Sequence, residues 1–420
     1  MPRALDQRHP PRNRRAPTRS PPGLTLGAAR RPNNRLIIRS SRRAGRAAEP
    51  AKRHKSVASA RFAGEFQEKL AVSRYAQLFS LIVGTAALAR LDGAARLIPS
   101  PGLLRRPTLR REAQSTSALE GTYAPFTDVL AADQTDPRQR SPELREVLNY
   151  EAIAEIAFAW PEDRPITLGM LGELQQLLVR RTAGELSDAG GLRDRIVVVG
   201  SRGSGFAEAR YVPPPPGDQL RAGMEDLLGW LASPPDLPTV VQAAMFHYQF
   251  ETLHPFSDGN GPIGRLIVIV QLLRGVVIRE PLLVVSPWFE QRRSQYQDSL
   301  LELSCTGDWN QWVRFFAAGV AASATESREK VERLVALREE LRGTVQTAGK
   351  RGTAERLAAD LVGEPYVTNR SVKEGYSLSG QGATNAIRTL VELDILEPAF
   401  RGAGGAQVYA APAVIRAVSL

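Results

Sequence analysis

Two apolar helical segments meet across a short polar junction, and that junction constrains this chain more than any other feature. Thr239 to Leu253 reads as one helix. Ile263 to Leu273, apolar almost all round, reads as a core helix. Between and into them runs His254-Pro255-Phe256-Ser257-Asp258-Gly259-Asn260-Gly261-Pro262-Ile263-Gly264-Arg265. Such a chain must bury both helices and gather the polar residues at the point where they join.

The chemistry of the junction is specific. Gly259 and Gly261 let the backbone turn tightly and approach a ligand. Unpaired N–H groups at a helix N-terminus, at the positive end of its dipole, favour phosphate. Asp258 offers a hard oxygen ligand for Mg²⁺, which takes one or two carboxylates beside phosphate oxygens. Arg265, one turn into the helix, can aim a planar fork at phosphate. His254 can accept a proton near neutral pH. A base, a metal carboxylate, an anion nest and an arginine this close together suit phosphoryl or nucleotidyl transfer.

These residues resemble the Fic (filamentation induced by cAMP) signature, HPFx(D/E)GNGRxxR. Eight of its nine restricted positions match, and Pro262 stands where the family has its first arginine. The resemblance extends upstream and downstream. Thr116, Glu120 and Gly121 match the family's inhibitory helix, (S/T)xxxE(G/N). Tyr211-Val212 and the four prolines that follow look like the end of the flap hairpin. Ser286-Pro287-Trp288-Phe289-Glu290, Tyr296 and Gly307-Asp308-Trp309 look like the helices after the motif.

The resemblance implies a mainly α fold: a Fic helical core with a β-hairpin flap, plus a small C-terminal winged-helix domain. It also implies a protein adenylyltransferase that moves AMP from ATP, with Mg²⁺, onto a Tyr, Thr or Ser hydroxyl of a target protein. His254 would be the catalytic base and Asp258 would hold Mg²⁺ on the α- and β-phosphates. Asn260 with the Gly259 and Gly261 backbone would form the anion hole, and Arg265 would bind the γ-phosphate. Glu120 would pair with Arg265 at rest. The flap, roughly Ile196 to Val212, would hold the target by strand addition. The alternatives are removal of AMP from a modified protein, with Glu120 orienting water, or a transcriptional regulator whose Fic domain senses a nucleotide. Two departures stand out. Pro262 removes a positive charge but, as a first helical residue, should leave the helix start intact. Arg292 stands where relatives commonly have asparagine and should alter the adenine pocket.

The rest of the chain is read from composition and period. Residues 1–60 carry 16 Lys and Arg against two Asp and Glu, while the remainder carries 39 against 42. That gives a disordered basic tail and a body with no general pull on nucleic acid. A helical region with the inhibitory helix is expected over 61–135, its helices spanning Phe62 to about Ala95 and Thr108 to Leu119. The catalytic domain and following helices are expected over 136–345, and the winged helix over 346–420. Ile196–Val199 and Ala209–Val212 read as the two strands of the flap. The glycine-rich Gly200–Gly205 between them lacks the ending of a phosphate loop and reads as the hairpin tip. His247 lies seven residues before His254, but no second ligand beside it suggests zinc.

From Arg351 to Leu420 seven basic residues meet seven acidic ones, which favours protein contact or dimerisation over DNA. The apolar runs Leu78–Leu88 and Leu266–Leu273 are shorter than the roughly 20 residues of a bilayer span. With Cys305 as the only cysteine, a soluble cytoplasmic protein is expected.

Overall fold

The structure is a computed structural model that describes residues 72–420, apart from 97, 99, 101, 201–208, 234–235 and 420. The basic tail, the first part of the first predicted helix and the tip of the flap lie outside the described residues.

Fifteen helices and one three-stranded sheet follow in order among the described residues. Helix α1 is Arg74–Ala95, with a π-helical stretch at Ser80–Thr85. Then come α2 (Gly102–Leu119), α3 (Phe126–Ala131), α4 (Pro142–Phe158) and α5 (Leu168–Val179). After the flap region follow α6 (Asp218–Ala232), α7 (Thr239–Leu253), α8 (Asn260–Arg274), α9 (Ser286–Gln291), α10 (Arg293–Thr306) and α11 (Trp309–Thr347). The C-terminal unit is α12 (Thr353–Asp360), β1 (Tyr366–Thr368), α13 (Asn369–Gly375), α14 (Gly380–Glu392), β2 (Glu397–Arg401), β3 (Gln407–Ala410) and α15 (Pro412–Ser419).

Helix α8 is the hub. Every residue from Asn260 to Leu272 is buried, because α7, α2, α4 and α5 all pack against it. The approach to α7 is closest at Gly264, where an added Cβ would lie 3.0 Å from Glu251 Oε1 and 3.2 Å from His247 Nδ1. Helix α11, 39 residues long and so roughly 58 Å, joins the two ends of the molecule. Its first half packs on α1 and α7, and its second half on α12 and α15.

Local chemistry sets the boundaries. Ser141 caps α4 by accepting from the Leu144 N–H, with Pro142 in its first turn. Thr167 caps α5 and Asp308 caps α11 in the same way. Gly307 ends α10 in the left-handed conformation. Helix α2 begins at Gly102, six residues before the expected Thr108, and carries Pro107 inside it. Pro107 falls in the second turn, where its missing N–H costs a single bond, to the Leu103 carbonyl.

In the C-terminal unit the strands run in the order β1-β3-β2, all antiparallel, with Tyr366 opposite Ala410 and Arg401 opposite Gln407. A bulge falls between Pro398 and Phe400, where proline cannot donate to the ladder. The sequence pattern gives short helices around Glu355–Leu361 and Gln381–Leu393 and a strand at Ala406–Ala410, and α12, α14 and β3 stand there. Strand β1, helix α13 and the closing α15 were not foreseen. The flap forms less sheet than its sequence promises, since its described flanks share one bridge, Val199 with Tyr211.

Arg74–Ala95 is, among the described residues, the one helix long and apolar enough to cross a membrane, at 22 residues. Adding the residues before and after Leu78–Leu88 brings the helix to that length. Its packing along α11 accounts for the apolar face that is buried.

Candidate active site

The loop between α7 and α8 is built by two left-handed residues. His254 ends α7 with φ 49°, and its N–H still bonds the Phe250 carbonyl at 2.9 Å. Gly259 begins α8 with φ 84°, where an L side chain would be strained. Asn260 ties the loop between them: the Phe256 N–H donates to its Oδ1 at 2.9 Å, and its Nδ2 donates to the Phe256 carbonyl at 2.8 Å. Anything the Asn260 side chain gives to a bound anion must therefore come from its remaining amide hydrogen. Helix α8 starts at Asn260, so Pro262 is its third residue and not its first. The first four N–H groups of a helix have no intrahelical partner, so proline is tolerated there as well.

A cleft of about 910 Å³, part of it open to solvent, gathers His254, Asp258, Gly259, Asn260, Gly261, Arg265 and Glu120 along its lining. Pro262 is buried but does not line the cleft. The opposite wall is Val199, Arg210 and Tyr211 from the flap, and Tyr296, Gln297, Leu300, Leu301 and Ser304 from α10. Tyr211 Oη donates to the Thr252 carbonyl at 3.0 Å, and Arg210 pairs with Asp298, so the base of the flap is pinned to α7 and α10. Arg292 is absent from the lining. Its guanidinium stacks over the Trp288 ring, 4.5 Å from the centroid.

Arg265 is held from helix α2. Its Nε donates to Thr116 Oγ1 at 2.7 Å, and its Nη2 donates to the Thr116 carbonyl at 3.2 Å and to Glu120 Oε1 at 2.9 Å. The Glu120 carboxylate lies against Gly261 so closely that an added Cβ would be 2.0 Å from its Oε1. A carboxylate thus rests on the backbone N–H end of α8, where an anion would be expected to bind. Burial alone would weaken the hold of Arg265 on its proton, but Glu120, Tyr296 and Glu251 raise it above the ordinary arginine value.

His254 is 5% exposed, and its Nδ1 has no hydrogen-bond partner. Burial, and then the nearby Arg193 charge, push its pKa down to about 3. The imidazole is therefore neutral and able to accept a proton. A polyphosphate bound beside it would raise that value and strengthen the base. Asp258 is exposed, with Oδ1 accepting from the Gly259 N–H at 2.7 Å and Oδ2 beside Gly184. Among the described residues no group of three His, Cys, Asp or Glu gathers to hold a metal. One exposed carboxylate beside an anion site nevertheless suits Mg²⁺, which can draw its other ligands from phosphate and water.

Several contributors went unnoticed in the sequence. Glu251, three residues before His254, lines the same cleft. Burial raises its pKa to about 8, Arg265 pulls it back, and Glu120 adds to the rise. Gln175 donates to the Asp258 carbonyl at 3.1 Å and accepts from the Gly190 N–H at 2.6 Å. Ser257 donates to Asp188 at 2.5 Å. His247 is fully buried, with Nε2 at 2.7 Å from Tyr296 Oη and its ring stacked on Tyr296 and Trp312. Glu251 could have been found from its helical spacing to His254. Gln175 and Asp188 reach the loop from 83 and 69 residues away, and no local pattern announces such contacts.

Comparison with known proteins places this site. Residues 78–159 match the Fic/DOC family N-terminal region, and residues 165–272 match the Fic/DOC family. Over these two segments the chain is similar to the Fic/DOC family. It is 37% identical over 109 residues to the Protein adenylyltransferase Fic of Culex quinquefasciatus, 26% of this chain and 20% of that protein. It is 33% identical over 180 residues to that of Drosophila erecta, 41% of this chain and 32% of that protein. The chain therefore spans a fifth to a third of the length of these relatives. The crystal structure of a Fic family protein from Desulfovibrio desulfuricans G20 shares the fold, with a TM-score of 0.51 and 22% identity over 79% of this chain and 95% of that one.

Proposed function

We propose that this protein transfers AMP from ATP to a hydroxyl of a protein and is held at rest by Glu120. The observation that carries this reading is the Glu120–Arg265 pair, seated on the Gly261 backbone in the cleft that His254 lines. The name shared by the curated relatives supports it.

In this reading the His254 imidazole removes the proton from a Tyr, Thr or Ser hydroxyl. The oxygen forms a bond to the α-phosphorus of ATP, and the bond to pyrophosphate breaks, leaving its electron pair on pyrophosphate. Arg265 takes the terminal phosphate once Glu120 has withdrawn, which aligns the α-phosphorus. The N–H groups at the start of α8 receive phosphate oxygens. Asp258 would hold Mg²⁺, which when bound offsets phosphate charge. The base of the flap offers backbone to a target strand, and Val212 and Ile196 are exposed beside it.

We read α12 to β3 as a winged helix, from its order of helix, strand, two helices and hairpin, and assign it to protein contact or dimerisation because its charges balance. The exposed lone Cys305 supports a reducing compartment such as the cytoplasm. The test is incubation of the full chain carrying Glu120→Gly with α-labelled or γ-labelled ATP and Mg²⁺. Protein-bound label from the α position alone is expected. Label from the γ position alone would mean phosphate transfer and would end this reading.

A further inference from the structure

Arg193 is 2% exposed, yet its hydrogen-bond partners are all backbone carbonyls and no carboxylate is among them. Its Nε donates to the His254 carbonyl at 2.8 Å and its Nη1 to the Arg195 carbonyl at 3.0 Å. Its Nη2 reaches the carbonyls of Pro214 and Leu253. The backbone N–H of the same residue donates to the Pro255 carbonyl at 2.9 Å. One residue thus grips three consecutive peptides, at 253, 254 and 255, together with both ends of the flap, at 195 and 214.

The grip falls where the backbone needs it. His254 sits at φ 49°, a region that a side-chain-bearing residue leaves unless its surroundings hold it. A buried cation without a carboxylate is costly in itself. The planar fork offsets that cost by reaching four carbonyls in fixed directions, one more than the three donors of an ammonium could satisfy. Burial lowers Arg193 to about 10, so the fork stays charged at neutral pH.

We propose that Arg193 is the positioning residue of the site: it fixes the His254 peptide, and with it the imidazole, and couples that peptide to the base of the flap. Displacement of the flap by an arriving target strand is thereby transmitted to the base. The catalytic part of this inference rests on AMP transfer by His254, whereas the mechanical coupling does not.

The test uses the full chain carrying Glu120→Gly, with Arg193→Lys and Arg193→Met added separately. Labelled-AMP transfer, calorimetric ATP binding and hydrogen exchange are measured on each. The inference expects kcat to fall at least tenfold in Arg193→Lys and further in Arg193→Met, with ATP affinity within threefold of the parent. It also expects segments 193–199, 211–216 and 250–256 to gain exchange together. A kcat within threefold of the parent, or an equal loss of kcat and ATP affinity, would overturn the positioning role. Exchange gained by the flap segments alone would overturn the coupling. If the Glu120→Gly parent itself adds no AMP, the functional reading fails, and the exchange result still decides the coupling. If neither variant folds, exchange of the parent decides. Similar opening rates at the Arg193 and Val199 amides support coupling, and rates differing by tenfold or more overturn it.

Discussion

Arg265 and Arg193 are both 2% exposed and both lie beside the catalytic loop, yet they are satisfied in opposite ways. Arg265 is tied to a separate helix, by a hydroxyl, a carbonyl and a carboxylate that is itself partly exposed. Arg193 is tied to carbonyls of the loop and of its own neighbourhood. The first arrangement can be exchanged: a phosphate can replace Glu120 oxygen for oxygen, at little net cost in buried charge. The second cannot, because no incoming ligand resembles a set of peptide carbonyls. In the proposed function, one end of the loop is therefore a switch and the other a fixed mount.

The largest expected effect breaks the chemistry while leaving both arginines in place. Added to a Glu120→Gly parent, His254→Ala should lower AMP transfer by about 10²–10⁴-fold, the usual worth of a general base, with calorimetric ATP binding little changed. The nucleotide contacts belong to other residues, so transfer within threefold of the parent would remove His254 from this role.

A smaller effect sharpens the switch. After Glu120 is removed, Arg265 keeps its two contacts to Thr116, which is fully buried. Glu120→Gly should therefore release Arg265 only in part. Adding Thr116→Ala removes a buried hydrogen bond worth about 1 kcal/mol, so ATP affinity should rise by about fivefold over Glu120→Gly alone. Equal affinities in the two proteins would show that the carboxylate is the whole lock.

The smallest effect concerns the second carboxylate near Arg265. Glu251 is raised from its ordinary value to about 8 by burial first, against the pull of Arg265. Its unfolded form loses its proton near 4.3. The contribution of Glu251 to stability is then full below that pH and is lost as pH rises towards 8. Glu251→Gln, neutral throughout, should melt about 2–4 °C higher relative to the parent at pH 8 than at pH 5. Parallel melting curves across that range would mean that Glu251 is ionised in the folded protein.

How far each region could be read from sequence follows from the same contrast. The proposed switch was legible because its parts carry side-chain signatures at fixed spacing: Thr116, Glu120 and Gly121 at and just past the end of one helix, His254 to Arg265 along the loop and the start of α8. The mount was not, because Arg193 acts on carbonyls, which every residue has, and no residue type marks a carbonyl as special. Helix α8 was legible from its unbroken apolar run, although its start was placed at the proline, two residues late. Strand β1 is three residues long and α13 seven, too short for period to rise above composition. The flap flanks look like strands because Ile196 to Val199 is β-branched. Val197 and Val198 are buried and Ile196 is exposed, and among the described residues only Val199 bridges to the other flank, at Tyr211.

The measurement that bears most directly on the whole account is intact-mass analysis of the full chain and of Glu120→Gly after incubation with ATP and Mg²⁺. The account predicts that the parent gains little or no AMP, because Glu120 occupies the place of the terminal phosphate. The variant should gain one or more AMP groups, and adding His254→Ala should abolish that gain. Equal modification of parent and variant, or none in either while both bind ATP, would contradict an AMP transferase held at rest by Glu120 and Arg265.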